Sequence, residues 1–310
     1  MSFSELTLSQ AVESYKNGDI DNAQSRFLDL LNIEPKNPDA LYFMSMIDHS
    51  SGRREVAEHR ANELVVLKPT DGKALNLLGT ILMSQGKTRQ ALPHFDKGIK
   101  YNEKDPVLRV NAAICHIGEG NPDASIERCK QAIKISPDYA NAYNILGNAY
   151  MGKSDTANAA DSFRKALDKM PEFHDARFNL GVALLGLDKT GEALDCFNEV
   201  LEHVPQNINA MTRKADIYAL TGKLKEAGHL YQQAIDANSS FSPAYIGMGK
   251  LFLKLKKYDE ALSHFKRAIE LNPNNIEALT NIGVAFQKLG QVDAAAAAFS
   301  DVIEIDTENA

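Results

Sequence analysis

Eight histidines and three cysteines are the residues of this 310-residue sequence best suited to nucleophilic, acid–base or metal chemistry. An imidazole that titrates near neutrality serves as a general base or a metal ligand, and a thiolate pair serves redox or zinc chemistry. Their spacing supports neither use. Cys115, Cys129 and Cys196 are odd in number and contain no CxxC pair, so no disulfide framework and no zinc site is indicated. Cys115 lies 14 residues before Cys129 and could approach it, but no histidine or acid accompanies the pair. Cys129 reads as core filler and Cys196 as a surface or interhelix residue. His94 and His264 hold equivalent places five repeats apart, so an extended array keeps them separate. His116 falls on an inward face and reads as a packed side chain. The glycines recur at fixed intervals, which explains them structurally and leaves no phosphate-cradling loop. No serine or acidic pair is placed for catalysis. No catalytic residue, cofactor or metal is therefore expected, and these residues read as non-enzymatic.

The elements that position these side chains follow from a strict internal period. Prolines 35, 69, 137, 171, 205 and 273 are separated by 34 residues, or by 68 where Glu103 and Ser239 take the place. The register runs from Ser4 to Asn309 without insertion or deletion and holds nine units: 4–37, 38–71, 72–105, 106–139, 140–173, 174–207, 208–241, 242–275 and 276–309. With the proline at position 32, position 20 is Ala in every unit except for Ser125. Position 8 is always small: Ala11, Ser45, Gly79, Ala113, Gly147, Gly181, Ala215, Gly249 and Gly283. Position 24 is aromatic except for Ala61 and Cys129, and position 3 is Ala in seven units.

Each unit carries two apolar stretches with three- and four-residue spacings, which argues for two amphipathic helices. Glycine at position 15, as in Gly18, Gly52, Gly86, Gly120, Gly222 and Gly290, accepts the left-handed conformation that closes the first helix. Asn121 and Pro122 suit the cap and first residue of a second helix. Small residues at positions 8 and 20 let the two backbones approach near the short end of ~8–10 Å. The aromatic at position 24 should fill the space where they diverge. The proline at 32 stops the second helix. One such hairpin cannot bury its apolar face alone, so stacking is required. Gln10 and Ser14 suit a terminal unit facing water. Ala61 and the inward Asp48 make unit 2 irregular, and Pro93 should kink the second helix of unit 3.

In unit 5, Leu146, Gly147 and Tyr150 with Ala159, Phe163, Ala166 and Pro171 resemble the tetratricopeptide (TPR) repeat, Tyr143 standing where that family often has Trp. The resemblance covers residues 4 to 309. It implies an all-α fold: a single right-handed α-solenoid (TPR superhelix) of antiparallel helix pairs whose first helices line a concave groove. In that family positions 2, 5, 6, 9, 12 and 13 commonly face the groove. Here they supply Asn76, Asn111, Ile114, Ile117, Asn144, Asn148 and Met151, then Asn179, Val182 and Leu185. Further along come Asn209, Arg213, Asp216, Lys250, Lys254, Asn281, Gln287 and Lys288. An asparagine both donates to and accepts from a peptide backbone, which suits recognition of an extended chain. Chaperone-binding members grip a C-terminal carboxylate at five such places. This sequence has Asn144, Asn148, Asn179, Asn209 and Arg213 there, and both lysines of that clamp are missing. The array of O-linked N-acetylglucosamine transferases uses an asparagine ladder at position 6, which Asn111, Asn179 and Asn281 match.

The resemblance therefore implies a non-catalytic interaction scaffold binding a peptide or protein segment in its groove. A second reading is the substrate-recruiting N-terminal region of a larger enzyme, a glycosyltransferase or sulfotransferase. A third is a self-associating assembly protein. Both draw on the "DAAAAAF" stretch at 293–299, where the last unit lacks a polar capping helix; a further part of the chain, a partner or a second copy is expected to cover it. A net charge of −7 and a pI near 5.7 argue against general nucleic-acid affinity. No basic, apolar leader opens the sequence and no stretch approaches the ~20 apolar residues that span a bilayer, so no membrane insertion and a cytoplasmic location are expected.

Overall fold

The computed structural model describes residues 3–308, and every regular element among them is an α-helix. The chain divides into two compact units between Phe173 and His174, on a boundary of the 34-residue register. The first holds α1 (Phe3–Lys16), α2 (Ile20–Ile33), α3 (Pro38–Ser50), α4 (Arg54–Leu67), α5 (Gly72–Ser84), α6 (Thr88–Tyr101), α7 (Pro106–Gly118), α8 (Pro122–Ile135), α9 (Ala140–Gly152) and α10 (Thr156–Lys169). The second holds α11 (His174–Gly186), α12 (Thr190–His203), α13 (Ile208–Leu220), α14 (Leu224–Ala237), α15 (Ser242–Lys254), α16 (Tyr258–Leu271), α17 (Ile276–Lys288) and α18 (Val292–Glu308).

Each repeat is an antiparallel helix pair closed by a left-handed residue at position 15. The six glycines there have φ between 71° and 84°. Ser154, Asp188 and Lys256 take the same place in three other repeats with φ of 58–60°, a conformation that costs a side chain energy. Most first helices begin on an amide or carboxylate at position 34 of the preceding repeat. Asn37, Asp71, Asp105, Asn207 and Asn275 each accept a backbone N–H of the first turn. Asn121 caps α8 ahead of Pro122, as its sequence suggests.

In five repeats the core is a ring on a glycine. A Cβ at Gly79 would lie 2.5 Å from Phe95 Cε1, at Gly249 2.5 Å from Phe265 Cε1, and at Gly181 2.7 Å from Phe197 Cε1. Gly147 under Phe163 and Gly283 under Phe299 repeat the contact. The aromatic at position 24 therefore packs directly on the small residue at position 8 of its partner helix. Where position 24 is the smaller Ala61 or Cys129, position 8 carries Ser45 or Ala113. Repeat 7 solves the problem differently: Tyr231 faces Gly247 of the next repeat.

Three irregular places resolve individually. Asp48, 1% exposed, is held by Arg53 at 2.7 Å and by Arg60, so the buried carboxylate is neutralised by an ion cluster. The helix α6 runs through Pro93 without a break. Cys196 is buried, 9% exposed, which selects the interhelix alternative over the surface one.

Candidate functional site

In each unit, first helices touch the first helices of neighbouring repeats. The contacts are α3 to α5, α5 to α7 and α7 to α9 in the first unit, and α13 to α15 and α15 to α17 in the second. The layer whose members touch along a curved stack is its inner one, which makes the first-helix faces the concave side of each unit. Side chains there at positions 2, 5, 6, 9, 12 and 13 are the candidate site.

Three of them meet in the second unit. Asn209, Arg213 and Lys250 are exposed and line one cleft of about 240 Å³ together with Thr212, Asp216 and Glu277. Asp216 forms its floor. Its carboxylate accepts the Tyr231 hydroxyl at 2.7 Å and lies 3.3 Å from an Arg213 guanidinium nitrogen. Burial raises the Asp216 carboxyl above its ordinary value, against the Tyr231 hydrogen bond and the Arg213 charge, which lower it. Lys250 pairs with Glu277 at 2.9 Å across adjacent first helices. Lys254 donates to the Ala219 carbonyl at 2.6 Å, satisfying an orphan acceptor at the end of α13. The cleft thus mixes paired cations, carboxylates and amides, a surface for polar contacts to an extended chain.

The first unit has a different cleft, of about 450 Å³, walled by Tyr15, Tyr42, Met46, Leu77 and Val107, with Asn76 on its lining. Asn111 donates to the Asn76 side-chain oxygen at 2.8 Å, joining two consecutive first helices. Whichever way the two amides are turned, the pair leaves one NH2 and one oxygen for a further partner.

The remaining groove candidates are dispersed. Asn144 is buried, 6% exposed, within α9. Asn148, Ile114 and Met151 in the first unit are half-buried, as are Asn179, Val182 and Leu185 in the second. Asn281 donates to the Glu277 carbonyl of its own helix at 2.8 Å, and Lys288 is exposed at the end of α17. Sequence columns did not single out Tyr15, Tyr42 or Tyr231. The hydroxyl that distinguishes Tyr231 from the phenylalanines of its column was the available signal.

The three thiols sit inside the core, His49 lines the first-unit cleft, and His94 and His264 stand outside both clefts. Cys115 and Cys129 belong to different core clusters and are free thiols. Burial pushes the thiols of Cys115 and Cys196 up to about 11 and that of Cys129 to about 12, so none is a ready thiolate. His264 stacks on Phe252 at 5.2 Å, and burial lowers its pKa and that of His94. Among the described residues no group of three potential metal-ligating side chains comes together, and no helix is long and apolar enough to cross a membrane.

Family models described as tetratricopeptide or TPR repeat match residues 82–148, 144–208, 249–290 and 276–309. A model described as anaphase-promoting complex, cyclosome, subunit 3 matches residues 186–268. Among curated proteins, the chain is 24% identical over 90 residues to the TPR repeat-containing thioredoxin TTL4 of Arabidopsis thaliana, covering 29% of this chain and 13% of that protein. It is 22% identical over 141 residues to anaphase-promoting complex subunit 3 of Schizosaccharomyces pombe, covering 46% of this chain and 21% of that protein. The chain thus spans about a fifth or less of these two relatives. Among solved structures, the APC/C hetero-tetramer Cut9-Hcn1 is similar with a TM-score of 0.69 and 17% identity, over 85% of this chain and 52% of that one, a likeness of fold.

Proposed function

The chain is a tetratricopeptide repeat protein, and on that premise we propose that it is a non-catalytic scaffold binding a peptide or extended protein segment along its first helices. The observation that carries this reading is the cleft in the second unit, where exposed Asn209, Arg213 and Lys250 converge over the Asp216 floor. Such polar groups fix a backbone and its charged side chains, while half-buried Val182, Leu185 and Ile114 offer apolar contact elsewhere on the same faces. The Asn76–Asn111 pair supports the same use in the first unit, since its spare donor and acceptor complement one peptide group. Repeat arrays that display a concave face commonly bind along it. One continuous array over 4–309 belongs to this proposal, because the register crosses Phe173 without a gap. So does a cytoplasmic location.

Photo-crosslinking tests the reading. A benzoylphenylalanine placed at Asn76, Asn209 or Lys250 in cells that make the protein should yield defined adducts. The same probe at exposed second-helix sites such as Lys130 or Lys165 should not. Equal adducts from both helix layers would remove the groove from the account.

A further inference from the structure

A group of lysines without ion-pair partners lies on the flank of repeat 7. Position 7 holds Leu78, Leu146, Leu180, Met248 and Ile282 in five other repeats, and Lys214 is the one charged residue in that column. With a lysine there, α13 and α14 leave a shallow hollow lined by Lys214, Tyr218, Lys225, Glu226, His229 and Leu230. Its volume is about 340 Å³, and its wall is made by the lysine stems, the Tyr218 ring and Leu230. Lys214 and Lys223 place their ammonium groups 5.6 and 5.1 Å from the Tyr218 ring centroid. Among the described residues neither these two lysines nor Lys225 has a carboxylate within ion-pair distance, whereas Arg213 and Lys250 nearby are both paired. Leu220, at the end of α13, is 76% exposed. Lys214 and Lys225 on the hollow's lining and Lys223 over the Tyr218 ring thus set three ammonium groups without ion-pair partners beside one lining carboxylate, Glu226, on a chain whose net charge is −7.

We infer that this hollow is a second docking site, taking a large apolar or aromatic side chain flanked by carboxylates on an acidic protein segment. The apolar wall receives the side chain, and Lys214, Lys223 and Lys225 receive the flanking acids. Charge complementarity selects the partner: three ammonium groups without ion-pair partners repel a basic segment and gain nothing from a neutral one, and the acidic balance of the whole chain disfavours nucleic acid. The inference does not depend on the groove reading.

The test is fluorescence anisotropy with the full 310-residue chain. The probes are fluorescein-labelled peptides carrying one phenylalanine between two pairs of glutamates, a copy with the phenylalanine replaced by alanine, and a copy with the glutamates replaced by glutamines. The acidic phenylalanine peptide should bind best and weaken with salt. Lys223→Glu with Lys225→Glu should weaken it about tenfold or more, while Lys130→Ala on an exposed second-helix face leaves it unchanged. Both lysines are exposed; should the double reversal lower the melting temperature, Lys225→Ala carries the test with a smaller loss. Failure of the wild-type chain to bind, equal binding of the alanine copy, or indifference to the lysine substitutions would overturn the proposal. Tighter binding of a labelled single-stranded oligonucleotide, lost in the same variants, would overturn it in favour of nucleic acid.

Discussion

At the scale of single residues, the repeat is set by what each glycine must accommodate. Gly249 lies under the Phe265 ring, so Gly249→Ala forces a methyl into a filled space and should cost about 1–3 kcal/mol in urea unfolding. Gly191, in the first turn of α12, has nothing within 4 Å, and Gly191→Ala should be neutral or gain up to about 1 kcal/mol of helix propensity. Lys256 is the converse case. Its φ of 60° suits glycine, and Lys256→Gly should raise stability by about 0.5–1 kcal/mol despite the looser unfolded chain. Asp216 makes a pH prediction. Its folded carboxyl titrates above its ordinary value because burial penalises the anion. The favourable, protonated form is present at low pH and its contribution is lost as pH rises through the folded range. Asp216→Asn removes that dependence while keeping an acceptor for the Tyr231 hydroxyl. Its stability relative to wild type should therefore increase from pH 3 to pH 7 in chemical denaturation, and a constant difference would contradict the assignment.

At the scale of helices, the period alone made the pairs, their turns and the small–aromatic columns legible. Proline at 32 and glycine at 15 punctuate the chain locally, and local punctuation is readable one position at a time. Coupled choices were harder. Phe95 over Gly79, and Cys129 opposite Ala113, make sense only when two columns are read together. The caps at position 34 also escaped the columns, because Tyr139, Phe173 and Phe241 interrupt the Asn/Asp series. Asn207→Ala and Asn275→Ala each remove the acceptor for a first-turn amide and should each cost about 1 kcal/mol. Asp48 shows a different limit: a carboxylate in an apolar column is interpretable only once Arg53 and Arg60 are seen to close on it.

At the scale of the molecule, the fold class and the candidate groove faces follow from repetition, while the chemistry of each face does not. Groove-face positions carry Asn76 against aromatic walls in one unit and Arg213 beside a pinned carboxylate in the other. Side chains that differ between repeats have no period to announce them, so their convergence appears only in three dimensions. On the proposed groove reading, the fold sets where a partner would lie and the local residues set which partner it would be. The decisive measurement is the affinity of the partner recovered by crosslinking at Asn209 for a chain carrying Asn209→Ala, Arg213→Ala and Lys250→Ala together. All three side chains are exposed, so folding should be preserved in circular dichroism. The account predicts a loss of about tenfold or more against wild type, with no loss for Lys130→Ala and Lys165→Ala on second helices. Undiminished affinity in the triple variant would contradict the groove as the binding surface.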